Sequence, residues 1–204
     1  MDNDRCSLRT LEQIVEELLP NVKLLWSMTD GSKISFSRLD GIRLPDLMLV
    51  DMSLESMSGI AVCRRIRRRN STTKLLAMTS FAIGCYGHDA ADAGAQGIVN
   101  KNDEQDLLSG IREVSSGKTY GNYEFESAHI AHCRIRNSSA NIFDIISNRE
   151  LQVMDLMSGG MSDTDISLHL DIKEATVRKH IQSAMQKLNV ETRIQAVIKW
   201  TKRG

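Results

Sequence analysis

Three side chains stand out by type and by place. Asp51 closes the run Asp46–Leu–Met–Leu–Val–Asp51, Thr79 closes Lys74–Leu–Leu–Ala–Met–Thr79, and Lys101 closes Gly97–Ile–Val–Asn–Lys101. A carboxylate, a hydroxyl and an ammonium brought to one place make a phosphoryl site. The carboxylate is the nucleophile and forms an acyl phosphate. The hydroxyl and the ammonium bind the added phosphoryl oxygens. Crowded negative charge of this kind calls for a Mg2+ ion. A single Asp at the end of an apolar run is commonplace; three such groups in succession are not.

These residues need a scaffold that ends several strands together. Short continuous apolar runs, each followed by a helical pattern, fit buried parallel strands in βα units. Val22–Lys–Leu–Leu–Trp26 is a further run of this kind. Open α/β sheets bind ligands outside the carboxyl ends of their strands, where Asp51, Thr79 and Lys101 fall. Leu8, Leu11, Ile14, Val15, Leu18 and Leu19 recur at helical spacing, as do Ile60, Val62, Cys63 and Ile66, and Leu107, Leu108, Ile111 and Val114. Asp103 is the expected N-cap of the last of these helices and Gly117 its stop. A short helix is expected within Gly31–Leu44.

From Lys118 to Asn141 the pattern fades into Ser, Asn, His and Gly, which reads as a linker, either flexible or partly ordered. Beyond Ile142 the chain reads as four helices. The first stops at Gly159–Gly160, Ser162 caps the second with Asp165 three residues on, the third runs from Lys173 to Leu188, and Thr192 caps the fourth. Two short helices joined by a tight turn let the second enter a major groove of DNA. The third helix divides accordingly. Val177, Ile181, Ala184, Met185 and Leu188 face inward, while Thr176, Arg178, Lys179, Gln182, Ser183, Gln186 and Lys187 face out. Arg and Lys match guanine edges and Gln matches adenine. Thr176, His180 and Lys187 suit phosphate contacts, and Lys173 adds charge at the helix start. An ordinary amphipathic surface helix has the same pattern.

Bulk composition excludes less. Lys+Arg and Asp+Glu are both 26, so net charge is zero and DNA binding rests on local charge. The densest basic run, Arg64 to Arg69, is expected to be a solvated helix end favoured by the dipole. The four cysteines form no CxxC pair, and His129, His132 and Cys133 read as solvated linker rather than a metal site. No long apolar run or signal peptide is visible, giving a cytoplasmic protein with no membrane association. No nucleophile–base pair or glycine-rich phosphate loop marks a standalone enzyme.

The segment SNRELQVMDLMSGGMSDTDISLHLDIKEATVRKHIQSAMQKLNVETRIQAV closely resembles the LuxR-type helix-turn-helix of NarL/FixJ response regulators. Arg149–Glu150, Gly159–Gly160, Ile166, Thr176–Val177–Arg178, His180, Lys187–Leu188 and Arg193 with Gln195–Ala196 carry the match. The segments PDLMLVDMSLESMSGIAVCRRIR, LLAMTS and GAQGIVNK resemble the receiver domain of the same family. The resemblance implies a flavodoxin-like α/β receiver over 1–118, a linker over 119–141 and an all-α DNA-binding domain over 142–204. It implies Asp51 as phosphoacceptor, Thr79 as switch hydroxyl and Lys101 as the site lysine. Asp2, Asp4, Asp51 and the Ser53 carbonyl would hold Mg2+, and Arg178, Lys179 and Gln182 would face base edges. The implied partners are a cognate histidine kinase, DNA and a second copy of the chain on DNA.

Several positions depart from the family pattern. The family opens with a strand ending in two adjacent acids, whereas this sequence begins Met1–Asp2–Asn3–Asp4, as though that strand were missing. In the order 2-1-3-4-5 its loss leaves two neighbours unpaired. The natural chain is therefore expected to carry several more residues ahead of Met1, and a lack of strand-like codons upstream would rule that out. Ile98 stands where an aromatic switch residue is usual, Leu54–Glu55 replaces a Met-Pro pair, and Lys179 replaces a small apolar residue. An alternative function follows: a regulator that binds DNA and protein partners without phosphorylation.

Overall fold

The computed structural model describes residues 1–19, 21–30, 44–54, 57–138 and 146–201. The chain divides into two compact units, Met1–Ser139 and Ala140–Gly204. The short helix expected within 31–44 lies almost wholly outside the described residues, and Glu55 lies outside them too.

In the first unit, α1 (Arg5–Leu18) starts where the Asp4 side chain accepts from the Cys6 N–H, and its apolar stripe buries Leu11 and Val15. Leu19, its C-cap, precedes Pro20, a position biased away from helix. The strands β1 (Leu47–Asp51), β2 (Lys74–Thr79) and β3 (Gly97–Asn100) form one parallel sheet in that order. Asp51 pairs with Met78, and Thr79 with Asn100, so the three strands end nearly level. Helix α2 (Gly59–Arg67) packs on β1, and α3 (Gly87–Asp92) on β3. Helix α4 (Glu104–Ser115) has Asp103 as its N-cap, and Gly117 follows with a positive φ of 93°. Leu107, Ile111 and Val114 of α4 share one core with Leu11 and Val15 of α1 and with Leu76, Met78 and Val99 of the sheet. Apolar cover of the strands explains their continuous rather than alternating runs.

The first two residues lie along the side of β1 away from β2. The Met1 amino group donates to the Leu49 carbonyl at 2.7 Å, and Asp51 N–H donates to the Met1 carbonyl at 3.0 Å. On its other side, Asp2 N–H donates to the Met28 carbonyl at 3.1 Å. Met1–Asp2 thus makes one parallel ladder step on β1 and reaches the 22–28 stretch, which is not a regular strand.

The described part of 119–141 is folded onto the first unit. Tyr120 bonds Gln96 and Ile98 along the outer edge of β3, and its hydroxyl donates to Asp106 at 2.7 Å. Helix α5 (Ala128–Arg136), capped by Ser127, buries Ala131 and Ile135 completely and packs against α2. The basic run is not the solvated helix end expected of it, because Arg64 and Arg67 are buried. Arg67 donates to the carbonyls of Gly94, Asn70 and Thr73 and to Gln96 Oε1. Burial brings its pKa down to about 10, which still leaves it charged at neutral pH. Arg64 donates to Ser138 Oγ at 2.8 Å, and the Arg67 carbonyl meets His132 Nδ1 at 2.6 Å. These arginines fasten loops and α5 in place.

The second unit holds α6 (Asn148–Ser158), α7 (Asp163–Leu170), α8 (Glu174–Lys187) and α9 (Arg193–Thr201). Ser147 with Glu150, and Ser162 with Asp165, close reciprocal capping boxes. Asp171, left-handed at φ 50°, ends α7 and turns the chain into α8. Val153, Ile166, Val177 and Ile181 form the core, and the fully buried Trp200 donates its indole N–H to Asp155 at 2.8 Å.

Candidate functional site

At the carboxyl ends of the strands, Lys101 Nζ lies 2.9 Å from Asp51 Oδ2 and 2.9 Å from Asp2 Oδ2. Both carboxylate side chains are fully buried, and the lysine side chain is 11% exposed. The second oxygen of Asp51 accepts from Ser53 N–H at 2.9 Å, and that of Asp2 from Asp4 N–H at 2.9 Å. Burial raises the pKa of Asp51, with the Ser53 N–H and Lys101 pulling the other way. Burial also works against the Lys101 ammonium, but its hydrogen bonds to Asp2 and Asp51 prevail and raise its pKa. Two acids face one amine, so the pocket carries excess negative charge. Gly59 is required beside it: a Cβ there would stand 2.2 Å from the Asp51 carbonyl oxygen and 2.7 Å from Met52 Cα.

Thr79 is fully buried one position past the register partner of Asp51, and its hydroxyl accepts from Phe81 N–H at 3.0 Å. Ile98 is buried, with Gly121 of the following segment close by. Asp4 is turned elsewhere. Its oxygens accept from Cys6 N–H at 2.9 Å and Ser7 Oγ at 3.2 Å as the cap of α1, and these bonds, the Cys6 one foremost, lower its pKa. Among the described residues no group of three or more His, Cys, Asp or Glu side chains gathers as a metal site. The remaining donor set still suits a hard cation: two buried carboxylates and, beside Asp51, a buried Ser53 hydroxyl with no hydrogen-bond partner among the described residues.

In the second unit, Lys173, Arg178, Lys179 and Gln182 are exposed on α8 or at its start, while Thr176 and His180 are half-buried. Arg178 pairs with Glu174 at 3.3 Å across an exposed helix turn, a contact of little strength. Burial foremost lowers the His180 pKa, the neighbouring Arg149, Lys179 and Lys187 lowering it further against Glu150, so its ring is neutral at pH 7. Lys187 is drawn inward. Its Nζ bonds both oxygens of Glu150, at 2.9 and 2.6 Å, and Ser183 Oγ donates to the same carboxylate at 2.6 Å. Burial opposes ionisation of Glu150, but the bonds from Lys187, Ser183 and Ser147 outweigh it and lower its pKa.

Residues 1–112, more than half of the chain, match the family model "Response regulator receiver domain". Residues 144–200 match "Bacterial regulatory proteins, luxR family". The response regulator protein VraR of Staphylococcus aureus is 30% identical over 156 residues, 76% of this chain and 73% of its own. This chain belongs to the response regulators that carry a LuxR-type DNA-binding domain. The transcriptional regulatory protein LiaR of Bacillus subtilis is 29% identical over 190 residues, 89% of this response regulator and 86% of LiaR. In fold, it is similar to an RcsB–DNA complex at TM-score 0.55 and 20% identity, covering 100% of this chain and 96% of that one. RcsB of Salmonella typhimurium gives TM-score 0.51 at 20% identity, with 98% and 95% coverage.

Two features of this response regulator were missed in its sequence. Glu150 holds Lys187 across 37 positions, and Arg193 grips Asp163 through two bonds of 2.8 and 2.9 Å across 30. Glu150 had a signal, since it stands three residues after Ser147 as the acid of a capping box. Asp163 opens a helix, where an acid is favoured, but nothing local names Arg193 as its partner.

Proposed function

We propose that this response regulator accepts a phosphoryl group on Asp51 from a cognate histidine kinase in the cytoplasm, and that acceptance controls DNA binding by α8. The observation that carries this reading is Lys101 Nζ bridging Asp51 and Asp2 at 2.9 Å each, at the carboxyl ends of parallel strands. The Asp51 oxygen attacks the phosphorus of a phosphohistidine. The new P–O bond forms as the P–N bond breaks, and the imidazole leaves. Lys101 is already placed to exchange its contact with Asp51 for one with a phosphoryl oxygen, and Thr79 supplies a hydroxyl at the next strand end. Asp2, Asp51 and the Ser53 carbonyl would hold Mg2+, which neutralises charge on the transferring group. Asp4 could join them only by leaving its cap. The domain bounds proposed are a receiver over 1–118, a linker over 119–141 and a DNA-binding domain over 142–204.

On DNA, Arg178, Lys179 and Gln182 read base edges, and Lys173, Thr176 and His180 contact phosphates. Lys187 serves chiefly to anchor α8 to α6 through Glu150. Two copies of the chain pair on two half-sites, in keeping with the pair of RcsB dimers described on two parallel DNAs. A small-molecule phosphodonor with Mg2+ tests the assignment by intact mass. One phosphoryl group is expected on the natural chain and none on Asp51→Asn; equal labelling of both refutes it. A second reading, DNA binding without phosphorylation, draws support from Asp4 being engaged as a helix cap. No labelling of either protein would favour it.

A further inference from the structure

The side of the first unit built by α2 and α5 collects positive charge. Residues 56–88 contain no Asp or Glu, and neither do residues 127–143. The first stretch carries five arginines within 64–69, and the second carries Arg134 and Arg136. The acids on adjoining segments are Asp89 and Asp92 of α3 and Glu124 and Glu126 ahead of α5, and Glu126 is taken by Arg134 at 2.8 Å. The two helices pack together, and their basic ends meet. Arg64 Nη2 donates to Ser138 Oγ at 2.8 Å and Arg68 Nη2 to the Ser138 carbonyl at 3.2 Å, two residues past Arg136.

Part of this charge serves the fold. Arg64 and Arg67 are buried fasteners, and Arg134 donates to the Ala91 and Asp92 carbonyls at the end of α3. Arg65, Arg69 and Arg136 differ. Arg69 and Arg136 are exposed and Arg65 is half-buried, and Arg65 and Arg136 hold no ion pair among the described residues. Arg65 and Arg69 stand four positions apart, on one side of the helix end, where like charges repel. A bound polyanion reverses that cost.

We propose that Arg65, Arg69 and Arg136 form a second DNA-binding surface, which grips backbone phosphates flanking the base pairs read by α8. Guanidinium groups match phosphate oxygens through paired hydrogen bonds and stay charged at any working pH. DNA is favoured over other polyanions because the same chain brings the surface to it. Asn148, the start of α6, lies twelve positions after Arg136, a span of at most about 40 Å. Once α8 is in its groove, the tether keeps the surface within about two helical turns of the duplex and raises its local concentration there. These contacts fix position without reading sequence. They rest on DNA binding by the second unit and not on phosphoryl acceptance.

Two duplexes carry one operator selected with the full chain. The short one ends at the base pairs whose substitution changes affinity, and the long one adds about 20 base pairs on each side. Affinity on both is measured over a range of salt for the natural chain and for Arg65→Gln/Arg69→Gln/Arg136→Gln. On the long duplex the variant should bind about tenfold or more weakly, and its plot of log affinity against log salt should be shallower by about 2 to 3. On the short duplex the two should bind alike. Lysine at the same three positions keeps the charge and should restore the slope, whatever the Gln variant does to stability. Arg178→Ala should lose affinity on both duplexes, so a failure of the α8 assignment shows there alone. Equal slopes for the natural chain and the Gln variant on the long duplex would overturn the proposal, as would an equal loss on both duplexes. So would tighter binding of the natural chain to anionic phospholipid vesicles than to the long duplex, lost in the Gln variant, because the surface would then belong to a membrane.

Discussion

The two units handle charge in opposite ways. In the first, Asp2, Asp51 and Lys101 are drawn into one pocket at the sheet's end, where both acids are fully buried. In the second, Arg178, Lys179 and Gln182 stand in solvent, while the Glu150 carboxylate is buried beneath Lys187 and Ser183. Buried charge changes its neighbours strongly when its own state changes, because little water screens it. Exposed charge does little until a partner of opposite sign arrives. The first arrangement suits a chemical switch and the second suits a reader. Each substitution below probes one side of that contrast.

The largest effect is expected at Gly59. A methyl group there meets the Asp51 carbonyl oxygen and Met52 Cα, so Gly59→Ala should cost about 3 kcal/mol and abolish phosphoryl acceptance. Denaturant unfolding of the first unit together with the mass assay checks this; an unchanged midpoint would mean that α2 can shift away from Asp51. Next, Glu150→Ala removes a cap acceptor and strands Ser183 and Lys187. It should destabilise the second unit by about 2 kcal/mol and leave the first unit's midpoint alone. A loss of DNA affinity with no loss of stability would make Lys187 a direct DNA contact after all.

On the exposed side, Arg178→Ala, Lys179→Ala and Gln182→Ala should leave stability unchanged. Each should cost about 1–3 kcal/mol in DNA binding and relax sequence preference at one position. Lys173→Ala should weaken binding evenly across sequences and reduce the salt slope by about 1. If all four behave alike in a selection experiment, α8 does not read bases in the manner assigned.

The smallest effect is one of pH. Asp51 has a pKa raised above 3.8, so the stability it contributes is complete below pH 3.8 and is lost as pH rises through its folded value. Glu150 has a pKa lowered below 4.5, so its contribution is present above pH 4.5 and is lost as pH falls through its folded value. Acidification should therefore weaken the second unit through Glu150 and relieve the first at Asp51. Thermal unfolding of the two units at a series of pH values should show Glu150→Gln flattening one trend and Asp51→Asn the other. Matching trends that neither variant alters would contradict the contrast.

What the sequence made legible was local. Asp51 and Thr79 end continuous apolar strands and Lys101 directly follows one, and the caps Asp103 and Ser162 act within one helix turn. Burial periodicity of α8 placed Val177, Ile181 and Ala184 inward. Helix α5 was less legible because it buries little more than Ala131 and Ile135 under a polar, histidine-rich surface. Arg67 misled because its chain reads as a solvated helix end, while its carbonyl partners Gly94, Asn70 and Thr73 and the side chain of Gln96 are set by tertiary packing. Asp4 offered two readings, metal ligand and N-cap, and the backbone at Cys6 engaged it first. Such partnerships depend on the fold, not on spacing.

The most direct measurement of the whole account is DNA affinity of the full chain, titrated at fixed salt with and without a phosphodonor and Mg2+. An operator fragment selected with the chain itself serves as the target. The affinity of the natural chain is expected to change on phosphoryl transfer and that of Asp51→Asn to stay constant under both conditions. A natural chain that is fully labelled at Asp51 yet binds DNA with unchanged affinity would contradict it.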